Sequence, residues 1–251
     1  MLFLNNCGLC NLHTATNHET LPLTCQLYPR FINNFGGYEE RGLSFSCEAA
    51  AKIIANNKLN LVTVQNEEPI VNFTSVDAEL FCTVKCVRNY ILQYINNFCG
   101  TPNELCANLI VYAENINECI NNGNFDLAKS LMVETAQVET SLLLDDKLRV
   151  KAIKSHLKNK ILRASWKTSL KTSLNSTPEY NLENLKIWLS YFVFRYLINA
   201  AFNKRVFSTI RAGFVSYMII EGLEFNFIDS ARIYSKETEH NKYNICKLFK
   251  I

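Results

Sequence analysis

Eight glycines and five prolines in 251 residues leave this chain short of the turn-forming residues that a many-stranded sheet needs at every reversal. Helices need far fewer. Between Val76 and Phe98 the residues Leu80, Val84, Val87, Ile91, Ile95 and Phe98 recur at three- and four-residue spacing, an apolar stripe that must face a core. With 48% hydrophobic and 20% charged residues the chain is long and apolar enough to bury one. The expected fold class is mainly α, a multi-helix domain over 48–251 preceded by a small cysteine-rich loop module over 1–47.

Local signals place the helices. Thr101-Pro102-Asn103-Glu104 combines an N-cap threonine, proline at the first helical position and a glutamate that closes a capping box. That helix is expected to run to about Asn121 and to stop at Asn122-Gly123, with Asn124 or Asp126 opening the next. Further helices are expected over 182–202, 206–222 and 227–239, followed by a short tail to Phe249. Ser173 to Pro178 is a polar break and the best internal boundary, and Leu61-Val62-Thr63-Val64 is the one plausible strand.

The net charge is only +3 but unevenly placed: Lys147 to Lys171 holds nine basic residues and no acidic one. Lys147, Lys151, Lys154 and Lys158 alternate there with Val150, Ile153, Leu157 and Ile161, which predicts an amphipathic helix with a basic face. Such a face is either simply solvated or a docking surface for an acidic protein, and nucleic acid is not expected as a partner. The apolar run from Trp188 to Phe202 is interrupted by Arg195 and Asn199 and is too short for a membrane span. The first residues have neither the basic start nor the apolar length of a signal peptide. A cytoplasmic location is therefore expected, where cysteines stay reduced.

Four of the ten cysteines, Cys7, Cys10, Cys25 and Cys47, fall in the first fifty residues, around Tyr28-Pro29-Arg30 and Gly36-Gly37 and without a helical stripe. So short a segment rarely supplies its own core, and a structural metal is one remedy. A C-x2-C pair with two further thiols offers four soft ligands suited to zinc or an iron–sulfur cluster, although a zinc ribbon would show a second C-x2-C. On spacing alone, metal binding and reduced structural thiols stay open. Ser46 is expected to N-cap a helix from Glu48, placing Cys47 where the helix dipole favours a thiolate. Arg30 and Arg41 lie near these thiols in sequence and suit a negatively charged cluster or a cosubstrate carboxylate; bonds to loop carbonyls are the alternative. Tyr28 can donate its hydroxyl in the same neighbourhood. Cys82 and Cys86, four apart on a helix, could ligate a metal from one face but are expected, with Cys99, Cys106, Cys119 and Cys246, to be core or boundary thiols. Glu239-His240 could form an acid/base pair, but adjacent helical residues do not face each other, so a helix-surface pair is expected.

Three stretches, Phe3-Leu4-Asn5-Asn6-Cys7-Gly8-Leu9-Cys10, Leu23-Thr24-Cys25-Gln26-Leu27-Tyr28-Pro29-Arg30 and Arg41-Gly42-Leu43-Ser44-Phe45-Ser46-Cys47-Glu48-Ala49-Ala50, resemble the cysteine-rich core of the bacterial flagellin lysine N-methylases. Tyr191-Phe192-Val193-Phe194-Arg195-Tyr196, Val215-Ser216-Tyr217 and Ser235-Lys236-Glu237-Thr238-Glu239-His240-Asn241 extend the resemblance toward the C-terminus. It implies an iron–sulfur cluster on Cys10, Cys25 and Cys47, and methyl transfer from S-adenosylmethionine to lysine side chains of flagellin. It also implies an upstream cysteine that this sequence lacks, so the chain is expected to be N-terminally shortened, with Cys7 as the substitute ligand. The family's proline before Glu-Ala-Ala is missing, since Cys47 is followed directly by Glu48. Neither a dinucleotide-type glycine loop nor a C-x3-C-x2-C motif is present. The other readings are a non-catalytic iron- or zinc-binding helical protein and a metal-free helical interaction protein.

Overall fold

The computed structural model describes residues 5–7, 10–35, 38–59, 61–62, 77–135, 144–160 and 163–249. Gly36-Gly37, Phe3-Leu4, Gly8-Leu9, Thr63-Val64 and Ile161, all used in the sequence reading, lie outside them. Leu61 and Val62 are in no regular element.

The described chain is mainly helical. It runs through α1 (Asn11–Ala15), a 3-10 turn (His18–Thr20) and α2 (Leu23–Leu27), then an antiparallel hairpin of β1 (Arg30–Asn34) and β2 (Glu39–Leu43) with Arg30 opposite Leu43 and Asn34 opposite Glu39. Helices α3 (Glu48–Asn56), α4 (Ala78–Asn97), α5 (Pro102–Asn121) and α6 (Phe125–Ser130) follow, then α7 (Asp146–His156) and α8 (Ala164–Ser173). The C-terminal part holds α9 (Leu182–Tyr196), α10 (Ala200–Asn203), α11 (Val206–Glu221), α12 (Phe227–Thr238) and α13 (Lys242–Leu248). No helix among the described residues is long and apolar enough to cross a membrane.

Side-chain caps set most of the starts. The Asp77 carboxylate accepts from the backbone N–H groups of Glu79 and Leu80, and Asp145, Asn181, Asn226 and Asn241 cap their helices in the same way. The Thr101–Glu104 capping box forms in full, and Gly123 takes the left-handed conformation (φ 75°) just past the C-cap of α5, as its lack of a Cβ allows. Cys47 rather than Ser46 is the N-cap of α3; the Ser46 hydroxyl turns instead to Ser44, 3.0 Å away.

Helix α11 is buried on almost every side, as an all-round apolar helix should be, and packs between α5 and α9, with α4 against α9. Gly213 permits the close approach to α9: a Cβ there would sit 3.1 Å from Leu189 and 3.2 Å from Phe192. The Trp188 indole N–H, fully buried, donates to Ser216 Oγ at 2.8 Å, so its burial leaves no unpaired donor.

The basic stretch is two helices, not one. Asn244 explains the break between α7 and α8: its amide donates to the Lys160 carbonyl at 2.8 Å and accepts from the Lys160 N–H at 3.2 Å, substituting for helical bonds. Arg149, one of the nine basic residues of the stretch, is fully buried and donates to the carbonyls of Ser173 and Ser176. The helix expected over 182–202 is likewise interrupted by a 3-10 turn at Leu197–Asn199, next to the Arg195 carbonyl to which the Asn33 amide donates.

Candidate functional site

Residues from four parts of the sequence meet where the hairpin leaves β2. The chain turns there through Ser44, Phe45 and Ser46, all buried. The Ser44 N–H donates to the Pro29 carbonyl at 2.8 Å, closing the turn against the Tyr28–Pro29 segment, whose peptide bond is cis. Phe45 is driven into the helices, edge-on to Tyr191 at a centroid distance of 4.8 Å and 5.6 Å from Trp188.

Beside Phe45 lies a buried polar cluster. Tyr191 and Arg195 stand one turn apart on α9, and Ser235 and Glu239 one turn apart at the end of α12, so each pair shares a face. Oε2 of Glu239 accepts from Arg195 at 2.7 Å, from the Tyr191 hydroxyl at 2.6 Å and from the Ser235 hydroxyl at 2.6 Å. Arg195 also donates to the Tyr191 oxygen and to Ser44 Oγ, the latter at 3.1 Å. The guanidinium carbon lies 4.8 Å from the Phe31 ring centroid and 5.2 Å from that of Tyr196. The Glu239 side chain is fully buried and that of Arg195 is 13% exposed, so the expected surface placement of Glu239 is wrong. The carboxylate turns back over α12 toward Arg195 instead of out into solvent. Its other oxygen, Oε1, is buried and has no hydrogen-bond partner among the described residues.

Burial, and after it the Glu239 carboxylate, hold the Tyr191 hydroxyl well above its ordinary pKa, so it stays a donor at neutral pH. His240, exposed at the edge of this cluster, is pulled below the ordinary imidazole value by desolvation against the opposing pull of Glu239. Its ring lies 6.4 Å from that of Tyr28, which is exposed. Lys236, on the same turn of α12, is lowered first by burial and then by Arg232 and Arg163, with Cys47 and Glu48 acting in the opposite direction. Cys47 follows buried Ser46 directly and, as the N-cap of α3, lies at the edge of the same locus.

The other sequence-derived candidates lie around this corner rather than in it. Arg30 is exposed at the start of β1, and exposed Arg41 pairs with Glu39 at 2.5 Å. Cys7 and Cys25 are exposed, Cys10 caps α1 half-buried, and all ten cysteines are free thiols. Of the six thiols expected in the core or at its boundary, Cys106 and Cys119 are buried, whereas Cys82, Cys86, Cys99 and Cys246 are exposed, Cys82 and Cys86 on the outer face of α4, Cys246 on α13 and Cys99 in the connection between α4 and α5. The implied cluster fits the thiol chemistry of Cys7, Cys10, Cys25 and Cys47 but not their placement: among the described residues no three His, Cys, Asp or Glu side chains are grouped to hold a metal ion. A shallow depression of about 430 Å³ lined by Glu114, Glu118 and Phe207, and a smaller one of about 110 Å³ beside Arg211 and Phe249, share no residue with the cluster.

Sequence reading missed a second buried ion pair. Arg88 of α4 and Glu40 of β2, 1% and 3% exposed, join through two bonds of 2.6 and 2.7 Å and fasten the hairpin to α4. Its signal was an arginine inside the apolar stripe of α4, just as the signal for Arg195 was a charge within the apolar run of α9. No protein-family model, curated protein or solved structure matches the chain.

Proposed function

We propose that this chain is a protein-lysine N-methyltransferase of the flagellin-methylase type, using S-adenosylmethionine, with residues 1–47 as its cysteine-rich module. One observation carries the reading. Segments quoted for the resemblance but far apart in sequence, at Tyr28, Ser44–Cys47, Tyr191–Arg195 and Ser235–His240, converge on a single corner. Structural needs alone can assemble a core, but a buried arginine and glutamate with an unfilled carboxylate oxygen make a costly core and a useful site. A lysine side chain has an ordinary pKa of about 10.4 and must lose a proton before its nitrogen can attack a methyl carbon. In this reading His240, at the edge of the corner, takes that proton, and the bonds of its neighbour Glu239 to Arg195 and Tyr191 support the turn that carries it.

No step is routed through an iron–sulfur cluster, because the thiols as arranged do not close on one centre. A non-catalytic iron- or zinc-binding helical protein is the second reading; the triple bonding of Glu239 Oε2, which locks that carboxylate in the interior, favours its non-catalytic part alone.

The test is intact and peptide mass spectrometry of flagellin incubated anaerobically with S-adenosylmethionine, with and without the protein. Lysine peptides gaining methyl units, and losing that gain with His240→Ala, support the transferase. Unmodified flagellin rejects it, and bound iron or zinc in the same preparation then selects the second reading.

A further inference from the structure

Cys82 and Cys86 stand one turn apart on the outer face of α4, both exposed, while Phe81, Thr83, Val84 and Val87 between them anchor the helix in the core. The scaffold beneath the two sulfurs is therefore fixed. Residues four apart on a helix have Cβ atoms about 5–6 Å apart. A disulfide needs about 3.5–4.5 Å, so this pair is better suited to share an ion than to oxidise to each other. Among the described residues no third His, Cys, Asp or Glu joins the pair, so these residues offer two thiolates rather than a tetrahedral set.

We propose that Cys82 and Cys86 form a two-coordinate site for a soft monovalent cation, Cu(I), on the surface of α4. Thiolate sulfur selects soft ions, and Cu(I) accepts two of them in a near-linear arrangement. Binding forms two Cu–S bonds and releases both thiol protons to solvent. The copper stays Cu(I), and the complex carries one net negative charge at the solvent-exposed face of α4. The site is separate from the corner at Ser44 and does not depend on the proposed methyl transfer.

Anaerobic titration of the full chain with Cu(I) against a chromogenic chelator tests this, comparing wild type with Cys82→Ser, Cys86→Ser, the double variant and Cys99→Ser. Each single variant should lose one equivalent of tightly held copper, the double no more than either single, and Cys99→Ser none. Full copper in the singles, or single losses that add in the double, overturns the site, because a chelate fails once either arm is removed. Maleimide labelling of the wild-type protein gives a second readout without any substitution. Cu(I) should slow labelling of Cys82 and Cys86 together at least tenfold, and equal labelling with and without Cu(I) overturns the proposal.

Discussion

Burial makes His156 a weak base. Packed against Tyr234, with Nδ1 3.0 Å from the Ala152 carbonyl and Nε2 3.2 Å from the Tyr234 hydroxyl, it is lowered by burial to a pKa of about 4 from the ordinary 6.5. Between those values the unfolded chain binds a proton that the folded one refuses, so stability is full above pH 6.5 and falls as the pH drops toward 4. The expected loss over that interval is about 3 kcal/mol. His156→Gln should flatten the pH dependence of the urea midpoint between pH 6.5 and 4 relative to wild type; parallel profiles would assign the acid sensitivity elsewhere. The Arg88–Glu40 pair allows a second test. Arg88→Met leaves a buried carboxylate without its cation and should cost about 3–5 kcal/mol, whereas adding Glu40→Leu should recover most of that. Additive losses in the urea-derived stabilities would mean that each side chain acts through its own packing.

Caps act over four residues, and they were what the sequence conveyed best. Thr101→Ala removes the hydroxyl that accepts from the Glu104 N–H at 3.2 Å and should cost about 1 kcal/mol, lowering the melting temperature by about 2–4 °C. An unchanged melting temperature would mean that packing of α5 alone sets its start. The ends of α5 and the course of α11 were readable because their causes are local. The hairpin was not, because its alternation is inverted: Ile32 faces solvent while Glu40 points inward to Arg88. The break after α7 was hidden for another reason, since Asn244, which makes it, lies 84 residues away. The candidate corner was half visible. Arg195 stood out in an apolar run, but only the fold brings it to Glu239, 44 residues on, and to Ser44, 151 residues back.

Across the molecule, the N-terminal segment is held to the helices by contacts of different chemistry, among them the Arg88–Glu40 pair, the Arg195–Ser44 bond and the buried Phe45 ring. Of these the ring carries no competing solvation, so most of its burial is net stabilisation. Phe45→Ala would leave a void bordered by Trp188, Tyr191 and Phe227 and should cost about 3–5 kcal/mol. Its local effect separates two ways of building the corner. If Phe45 seats the turn, the half-buried Cys47 next to it should alkylate faster in the variant, while Cys25, already exposed, keeps its wild-type rate. If the polar cluster alone holds Ser44 in place, stability falls but the two rates keep their ratio. Peptide mass spectrometry after timed maleimide treatment distinguishes the outcomes. A rise confined to Cys47 would make the buried ring the fastener that keeps the cysteine-bearing segment against Arg195 and Glu239.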